Sequence, residues 1–260
     1  LADLFASADV LHFHMTADED MRFGPFTPRD HLAGKIIVHH HHGHHDFRGN
    51  PPKYQHKYNE RGRRNLLVST PDLLRLLPEA RWQPNRVPIH ESRLLPLDGK
   101  PAAPVRLVHS PTRKDLKNTD DLLAACDALK TRGVSFELDL IDDVPNHECL
   151  DRKRRAHVLF DHMQGYYGVS SLEGLSQGLA VIAGIDGWCR THMVEFAETE
   201  NLPWVVAHGR DELEARLAEL VGQPERTAEL GRASRRFMQR HWSDRKVSAR
   251  LADFYQHALT

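Results

Sequence analysis

The apolar positions in the first third of the chain fall in short continuous runs: ADVLHFHM (Ala8–Met15), KIIVHHHH (Lys35–His42) and NLLVST (Asn65–Thr70). Runs of this length that are continuous rather than alternating predict strands buried on both faces of a parallel sheet. Gly34 precedes the second run and Gly43 stops it. From Pro84 to Pro104 the pattern breaks. Five prolines fall in that stretch and no period survives, which predicts an interdomain connection. Its core is assigned to residues 89–104. An N-terminal unit of residues 1–88 then precedes a C-terminal unit of residues 105–260.

The second half alternates between strand-like and helix-like segments. Strands are predicted at Val105–Ser110, Ser135–Ile141, His157–Asp161, Ala180–Gly184 and Trp204–Ala207. Helices are predicted at Thr119–Arg132, His147–Arg155, Ser170–Gln177 and His192–Glu198, then at Asp211–Val221, Pro224–His241 and Asp244–Leu259. Asn118 or Thr119 can cap the first of these, Asp120 and Asp121 suit its positive end, and Gly133 ends it. Strand–helix alternation with short loops is the signature of a doubly wound α/β sheet. In such sheets the ligand crevice lies at the carboxyl ends of the strands.

Composition narrows the class. The 260 residues include 35 Lys and Arg against 36 Asp and Glu, a net charge of −1 that argues against a dedicated nucleic-acid binder. No apolar run approaches the length of a membrane span, and no secretory signal pattern is seen. Cys126, Cys149 and Cys189 are odd in number and far apart, as expected of reduced thiols in a cytoplasmic protein. The chain opens on Leu1 rather than Met, as expected of a fragment or a processed form.

Two segments after strand ends carry candidate chemistry. In DHMQGYYGVSSLEGLSQGLAVIAG, Asp161 closes a strand, Gly165 and Gly168 allow a tight turn, and a helix opens at Val169 or Ser170. The amides of Val169, Ser170 and Ser171 at that helix start suit a phosphate. Glu173, placed in the first turn, can accept both hydroxyls of a ribose. A tight turn with a carboxylate complementing the helix dipole accounts for the same residues. In HSPTRKDLKNTDDLL, Arg113 and Lys117 follow the first strand of the second half and can clamp a diphosphate. A solvated basic loop is the plain alternative.

Together these segments resemble the C-terminal domain of GT-B-fold glycosyltransferases, the large retaining group 1 type that uses nucleotide-sugar donors. The resemblance extends to ADVLHFH, like the family's Asp-Val-Ile-His-x-His strand, and to KIIVHHHHGHHDFRG, like its strand ending in His-Gly followed by Asp and Arg. It implies two Rossmann-like lobes with a cleft between them, the first lobe shortened at its start. It implies that Glu173 holds the donor ribose, that Lys117, Arg113, Gly168 and the amides beyond it hold the diphosphate, and that His42 serves catalysis beside the transferred sugar, with Arg48 in the loop that follows. Gly165 stands where the family has the first Glu of a pair, with Asp161 four residues earlier; Asn118 stands where Gly usually follows the lysine. The implied activity is metal-independent, retaining transfer of a hexosyl-type sugar to a glycan or lipid-linked acceptor, as in polysaccharide biosynthesis. No cofactor is implied beyond the nucleotide-sugar substrate. An inactive nucleotide-sugar-binding protein is the alternative.

Histidine is the anomalous residue: there are 19, six of them between His39 and His45. His40, His42 and His45 fit part of a metallohydrolase spacing, but His44 stands where that pattern needs Asp. Alternate strand residues point to opposite faces, so at most half of His39–His42 can converge. A His-rich metal-dependent hydrolase is therefore a minor alternative, with neutral packed imidazoles the plain reading of His40 or His41. The basic runs RGRR (Arg61–Arg64) and RKRR (Arg152–Arg155) are read as solvated faces, or as contacts to an anionic membrane surface on the cytoplasmic side.

Overall fold

The computed structural model describes residues 2–259. The chain divides into two compact units: residues up to Asn85 together with those from Val247 on, and Arg86–Lys246. Both are parallel sheets flanked by helices, the α/β class expected from the apolar runs.

The first unit opens with helix α1 (Ala2–Ser7). Its sheet consists of β1 (Val10–His14), β2 (Ile36–His41), β3 (Asn65–Val68) and the short β4 (Arg81–Trp82), in the order β1-β2-β3-β4. Helices α2 (His45–Gly49) and α3 (Pro51–Glu60) connect β2 to β3. Neither was expected from the sequence, because both are polar. The start of α3 is nonetheless written locally: the Asn50 side chain accepts from the Lys53 amide at 3.3 Å, and Pro51 occupies the first turn, where its missing N–H costs nothing.

The second unit contains β5 (Arg106–His109), α4 (Thr119–Thr131), β6 (Glu137–Leu140), α5 (Asn146–Arg154), β7 (Val158–Phe160), α6 (Val169–Ser176), β8 (Ala180–Ala183), α7 (Gly187–Ala197), β9 (Trp204–Val206), α8 (Arg210–Gly222) and α9 (Pro224–Arg240). Its sheet runs β6-β5-β7-β8-β9, all parallel. Leu107, Val158, Phe160, Ala180 and Ile182 on the sheet pack with Leu122, Ala125 and Leu129 of α4 and Leu213, Leu217 and Leu220 of α8. Burying one of the Leu, Val, Ile or Phe side chains among them is worth about 1.5–3 kcal/mol. The strand order reverses direction between β5 and β7. In a doubly wound sheet that switch point, at the carboxyl ends of the strands, is where ligands bind.

Two expectations about organisation need correction. Residues 89–104 are not a free connection, because they pack into the second unit. Ile89 and Leu94 are buried, Arg235 donates to the Ile89 carbonyl at 2.9 Å, and Gln177 donates to the Arg93 carbonyl at 2.7 Å. Nor does the second unit run to the end of the chain. From Val247 on, helix α10 (Asp244–Leu259) belongs to the first unit, where Arg250 donates to the Trp82 carbonyl at 3.2 Å and Gln83 to the Val247 carbonyl at 3.0 Å.

Candidate functional site

At the switch point of the second unit, β7 runs into Asp161, a carboxylate only 2% exposed. The Gly168 amide donates to its Oδ2 at 2.5 Å and the Ser171 hydroxyl at 2.7 Å, while Lys117 Nζ lies 3.4 Å from Oδ1. Burial pushes this carboxyl up, but His162, Lys117, the hydroxyl and the amide outweigh it and hold it well below the ordinary Asp value. Asp161 thus ties the 161–168 loop to the start of α6. It is a buried scaffold for that loop.

A side chain at Gly168 would crowd the Asp161–Lys117 pair. A Cβ there would lie 3.0 and 3.1 Å from the Asp161 oxygens and 3.2 Å from Lys117 Nζ. Beyond it, the amides of Val169 and Ser170 open α6 and have no partner within the helix. The Ser170 hydroxyl meets that of Ser110, just past β5, at 3.2 Å. Lys117, Ser110, Ser170 and the α6 N-terminus therefore converge, a cation and a helix dipole arranged for an anion. Asn118 adopts φ +53°, the left-handed conformation that explains Gly at this place in the resembled pattern and that Asn tolerates best among larger residues. Its Oδ1 accepts from the Met163 amide at 2.8 Å, joining the loops after β5 and β7.

The other expected donor residues sit differently. Glu173 lies in the second turn of α6, not the first. Its Oε2 accepts from Lys153 Nζ at 2.7 Å, and the Lys153 side chain is only 4% exposed. Sequence reading missed this pair because Lys153 sits inside the basic run. Arg113 is exposed and paired with Asp115 through Nε at 2.9 Å and a terminal nitrogen at 2.6 Å. Gly165, at φ +88°, bridges to Ile185, and its carbonyl accepts from the Asp186 amide at 3.0 Å. Behind the site, His109 bonds the Phe160 carbonyl and the Thr119 hydroxyl, each at 2.9 Å; burial lowers its pKa to about 4. A separate cleft of about 810 Å³, lined by Lys100, His157, Arg232 and Arg235, opens at the amino ends of the strands, opposite the switch point.

In the first unit the histidine run alternates as strand geometry demands. His39 and His41 share one face of β2. His39 bonds Glu19, which also accepts two hydrogen bonds from Arg63, and His41 bonds the Tyr58 hydroxyl at 2.7 Å. His40 and His42 share the other face with His12 and His14 of β1, because His14 is in register with His40. The metallohydrolase grouping of His40 and His42 with His45 is thus replaced by a grouping across two strands. The His-x-His of β1 was its signal. His42 Nε2 faces His14 Nδ1 at 2.9 Å and its Nδ1 faces Asn85 Oδ1 at 3.1 Å, so both its nitrogens are engaged; burial lowers its pKa. Arg48 folds back onto the Gly43 carbonyl at 3.2 Å and pairs with Asp72 at 2.7 Å.

Most residues of the two basic runs make internal pairs. Arg61 pairs with Asp18 and Asp20, Arg63 with Glu19, Arg152 with Asp139, and Arg154 donates to the Leu95 carbonyl. Among the described residues no helix is long and apolar enough to cross a membrane.

No family model matches the chain, and no curated protein matches it in sequence. Solved structures do match. A glycosyltransferase from Rickettsia africae aligns at a TM-score of 0.63 and 13% identity, covering 100% of this chain and 80% of its own. Sucrose-phosphate synthase from Thermosynechococcus elongatus aligns at 0.65 and 12% identity, covering 96% and 73%. The fold is that of the GT-B glycosyltransferases. S. aureus TarM, solved with fondaparinux, alpha-GlcNAc-glycerol and UDP, shares this GT-B fold at a TM-score of 0.59 and 12% identity, over 88% of this chain and 52% of TarM. The chain thus spans about half the length of TarM. At these identities the likeness is one of fold, and the activity has to be argued from the site.

Proposed function

We propose that the protein is a glycosyltransferase that takes its sugar from a nucleoside-diphosphate donor held by the second unit. One juxtaposition carries the reading: the Lys117 ammonium stands beside the α6 N-terminus at the switch point of the sheet. The diphosphate would lie on the amides of Val169 and Ser170, within reach of the Ser110 and Ser170 hydroxyls and Lys117. These groups would stabilise charge on the leaving phosphate, usually the largest single contribution to such catalysis. Because a protein cation and a helix dipole supply the positive charge, the reading has the donor bound without a metal ion. Arg113 joins by exchanging Asp115 for phosphate, an inexpensive step for an exposed pair. Glu173 offers the ribose its Oε1 while Lys153 holds Oε2. A catalytic part for His42 belongs to the same reading, and would cost it one of its two hydrogen bonds, to His14 or to Asn85.

The UDP and glycan-type ligands named for TarM support a nucleotide-sugar donor and a glycan acceptor; a lipid-linked acceptor is the other form of the same reading. Retention of configuration, hexosyl transfer, a part in polysaccharide assembly and a place at the cytoplasmic membrane face belong to the same reading. Its test is a thermal-shift panel with UDP, GDP, TDP and ADP on the wild type and Lys117→Met. At a hundredfold excess over Kd, binding adds about 2.7 kcal/mol, which raises Tm by several degrees. One nucleotide should shift the wild type and not Lys117→Met; no shift with any nucleotide, or equal shifts in both proteins, would overturn the reading. A second reading, binding without transfer, is favoured by Gly165 in place of the first Glu and by the Lys153 bond to Glu173. It predicts the same shift with no donor hydrolysis.

A further inference from the structure

His12 and His14 lie two residues apart on β1 and face the same side of the sheet as His40 of β2. One ring nitrogen from each of the three lies within 4.8 Å of the other two. Two of the rings are held from behind. His12 Nδ1 meets the Tyr255 hydroxyl at 2.5 Å. His14 Nδ1 meets His42 Nε2, and His42 Nδ1 in turn meets Asn85 Oδ1. An amide oxygen only accepts, so a neutral His42 carries its proton on Nδ1 and accepts at Nε2. His14 then donates from Nδ1 and keeps its lone pair on Nε2. The inward groups lack partners: His12 Nε2 and both nitrogens of His40 are buried with no hydrogen bond, and His40 is only 5% exposed. Polar atoms this deep are normally satisfied, so three orphaned nitrogens on two neighbouring imidazole rings need an explanation.

We propose that His12, His14 and His40 form a binding site for a zinc-class divalent ion within the first unit. Three neutral imidazoles with one open position make a common zinc ligand set. No carboxylate belongs to the group among the described residues, which disfavours calcium and magnesium. Tyr255, and the His42–Asn85 chain behind His14, are the outer hydrogen bonds that orient ligating histidines. The rings now stack, His12 on His14 with centroids 4.1 Å apart and planes at 20°, so their lone pairs lie in nearly parallel planes rather than meeting at one point. Ion uptake therefore turns the rings about Cβ–Cγ until the nitrogens converge. The site goes beyond the donor reading and does not depend on it.

The competing explanation is adventitious capture by His44 and the exposed His45, whose rings lie 4.0 Å apart. The untagged full chain is stripped with EDTA, dialysed and titrated with Co²⁺, reading the visible absorption of four-coordinate cobalt, then displaced with Zn²⁺. The expected result is one Co²⁺ per chain, displaced by Zn²⁺ and unchanged in the His44→Ala/His45→Ala double variant. His14→Ala and His40→Ala should lose the band, and Tyr255→Phe should weaken binding about 10–100-fold. His14 is exposed, so its replacement opens no hole in the core; if His40→Ala fails to fold, His14→Ala and Tyr255→Phe decide. No stoichiometric band, a band lost in the His44/His45 variant, or wild-type binding in His14→Ala would overturn the proposal.

Discussion

Replacing Glu173 separates a structural carboxylate from a ligand-binding one. The Lys153 and Glu173 side chains are 4% and 16% exposed, and their charged atoms are 2.7 Å apart. Glu173→Ala leaves an ammonium buried beside nothing. Removing one partner of a buried pair costs about 3–5 kcal/mol, because the remaining charge stays desolvated. In a unit of this size each kcal/mol moves Tm by about 2–4 °C, so Tm should fall by about 6–20 °C. Glu173→Gln keeps an acceptor and should lose less. Lys153→Met combined with Glu173→Leu replaces the pair with apolar groups and should recover most of the loss, since buried pairs contribute little net stability over such residues. Differential scanning fluorimetry on the wild type and the three variants ranks these losses, and the single variants Lys153→Met and Glu173→Leu close the double-mutant cycle. Nucleotide shifts are then read against each variant's own baseline, which isolates any ribose contribution. A Glu173→Ala Tm within 1 °C of wild type would refute the structural half of this account.

Three further outcomes follow from the same geometry. Gly168→Ala drives a Cβ to 3.0 Å from Asp161 Oδ1, so it should cost about 1–3 kcal/mol by chemical denaturation and abolish the nucleotide-induced shift. Asp115→Ala removes the partner of Arg113 and should tighten nucleotide binding several-fold in low salt, with the gain fading in high salt, by titration calorimetry. His109 titrates near 4 in the folded chain against 6.5 unfolded, so between those pH values only the unfolded state takes up the proton. Stability should fall through that window as pH drops, by about 1.4 kcal/mol per pH unit from this residue, and His109→Gln should remove that share of the slope in urea melts at pH 7 and 5.

The strands were legible because a parallel sheet buried on both faces demands unbroken apolar runs, and Leu107–Val108 or Val158–Phe160 admit no other reading once flanked by helical stretches. The start of α4 was legible from Asp120 and Asp121 in its first turn, although the Asn118 side chain makes no cap bond there and turns to the 163–164 loop instead, and its stop was legible from Gly133, at φ +77°. The Lys117–Gly168 meeting was legible because functional residues follow strand ends, and the strand order brings β5 beside β7. What escaped depends on long-range geometry. Nothing near Lys153 says that its partner is Glu173 twenty residues on. Nothing in Val247–Leu259 says that it returns to the first unit. Alternation correctly split His39–His42 into two faces, but which β1 residues meet His40 is set by interstrand register, which no short window of sequence encodes.

The two histidine-bearing regions differ in a way that bears on what each holds. Behind the proposed donor site both nitrogens of His109 are bonded, and both oxygens of Asp161 have partners. That cradle is complete without a ligand. A substrate that comes and goes needs this: the empty site must cost little and the donors must already be aimed when the diphosphate arrives. On the first unit's sheet, His12 and His40 leave inward nitrogens unpaired in a dry position. Such a cluster is incomplete alone, as befits a resident ion. The two proposals therefore separate by thermal behaviour. EDTA should lower the Tm of the first unit and leave the nucleotide-induced shift of the second intact. If EDTA abolished the nucleotide shift itself, the metal-free account of the donor site would fail, whatever the histidines bind.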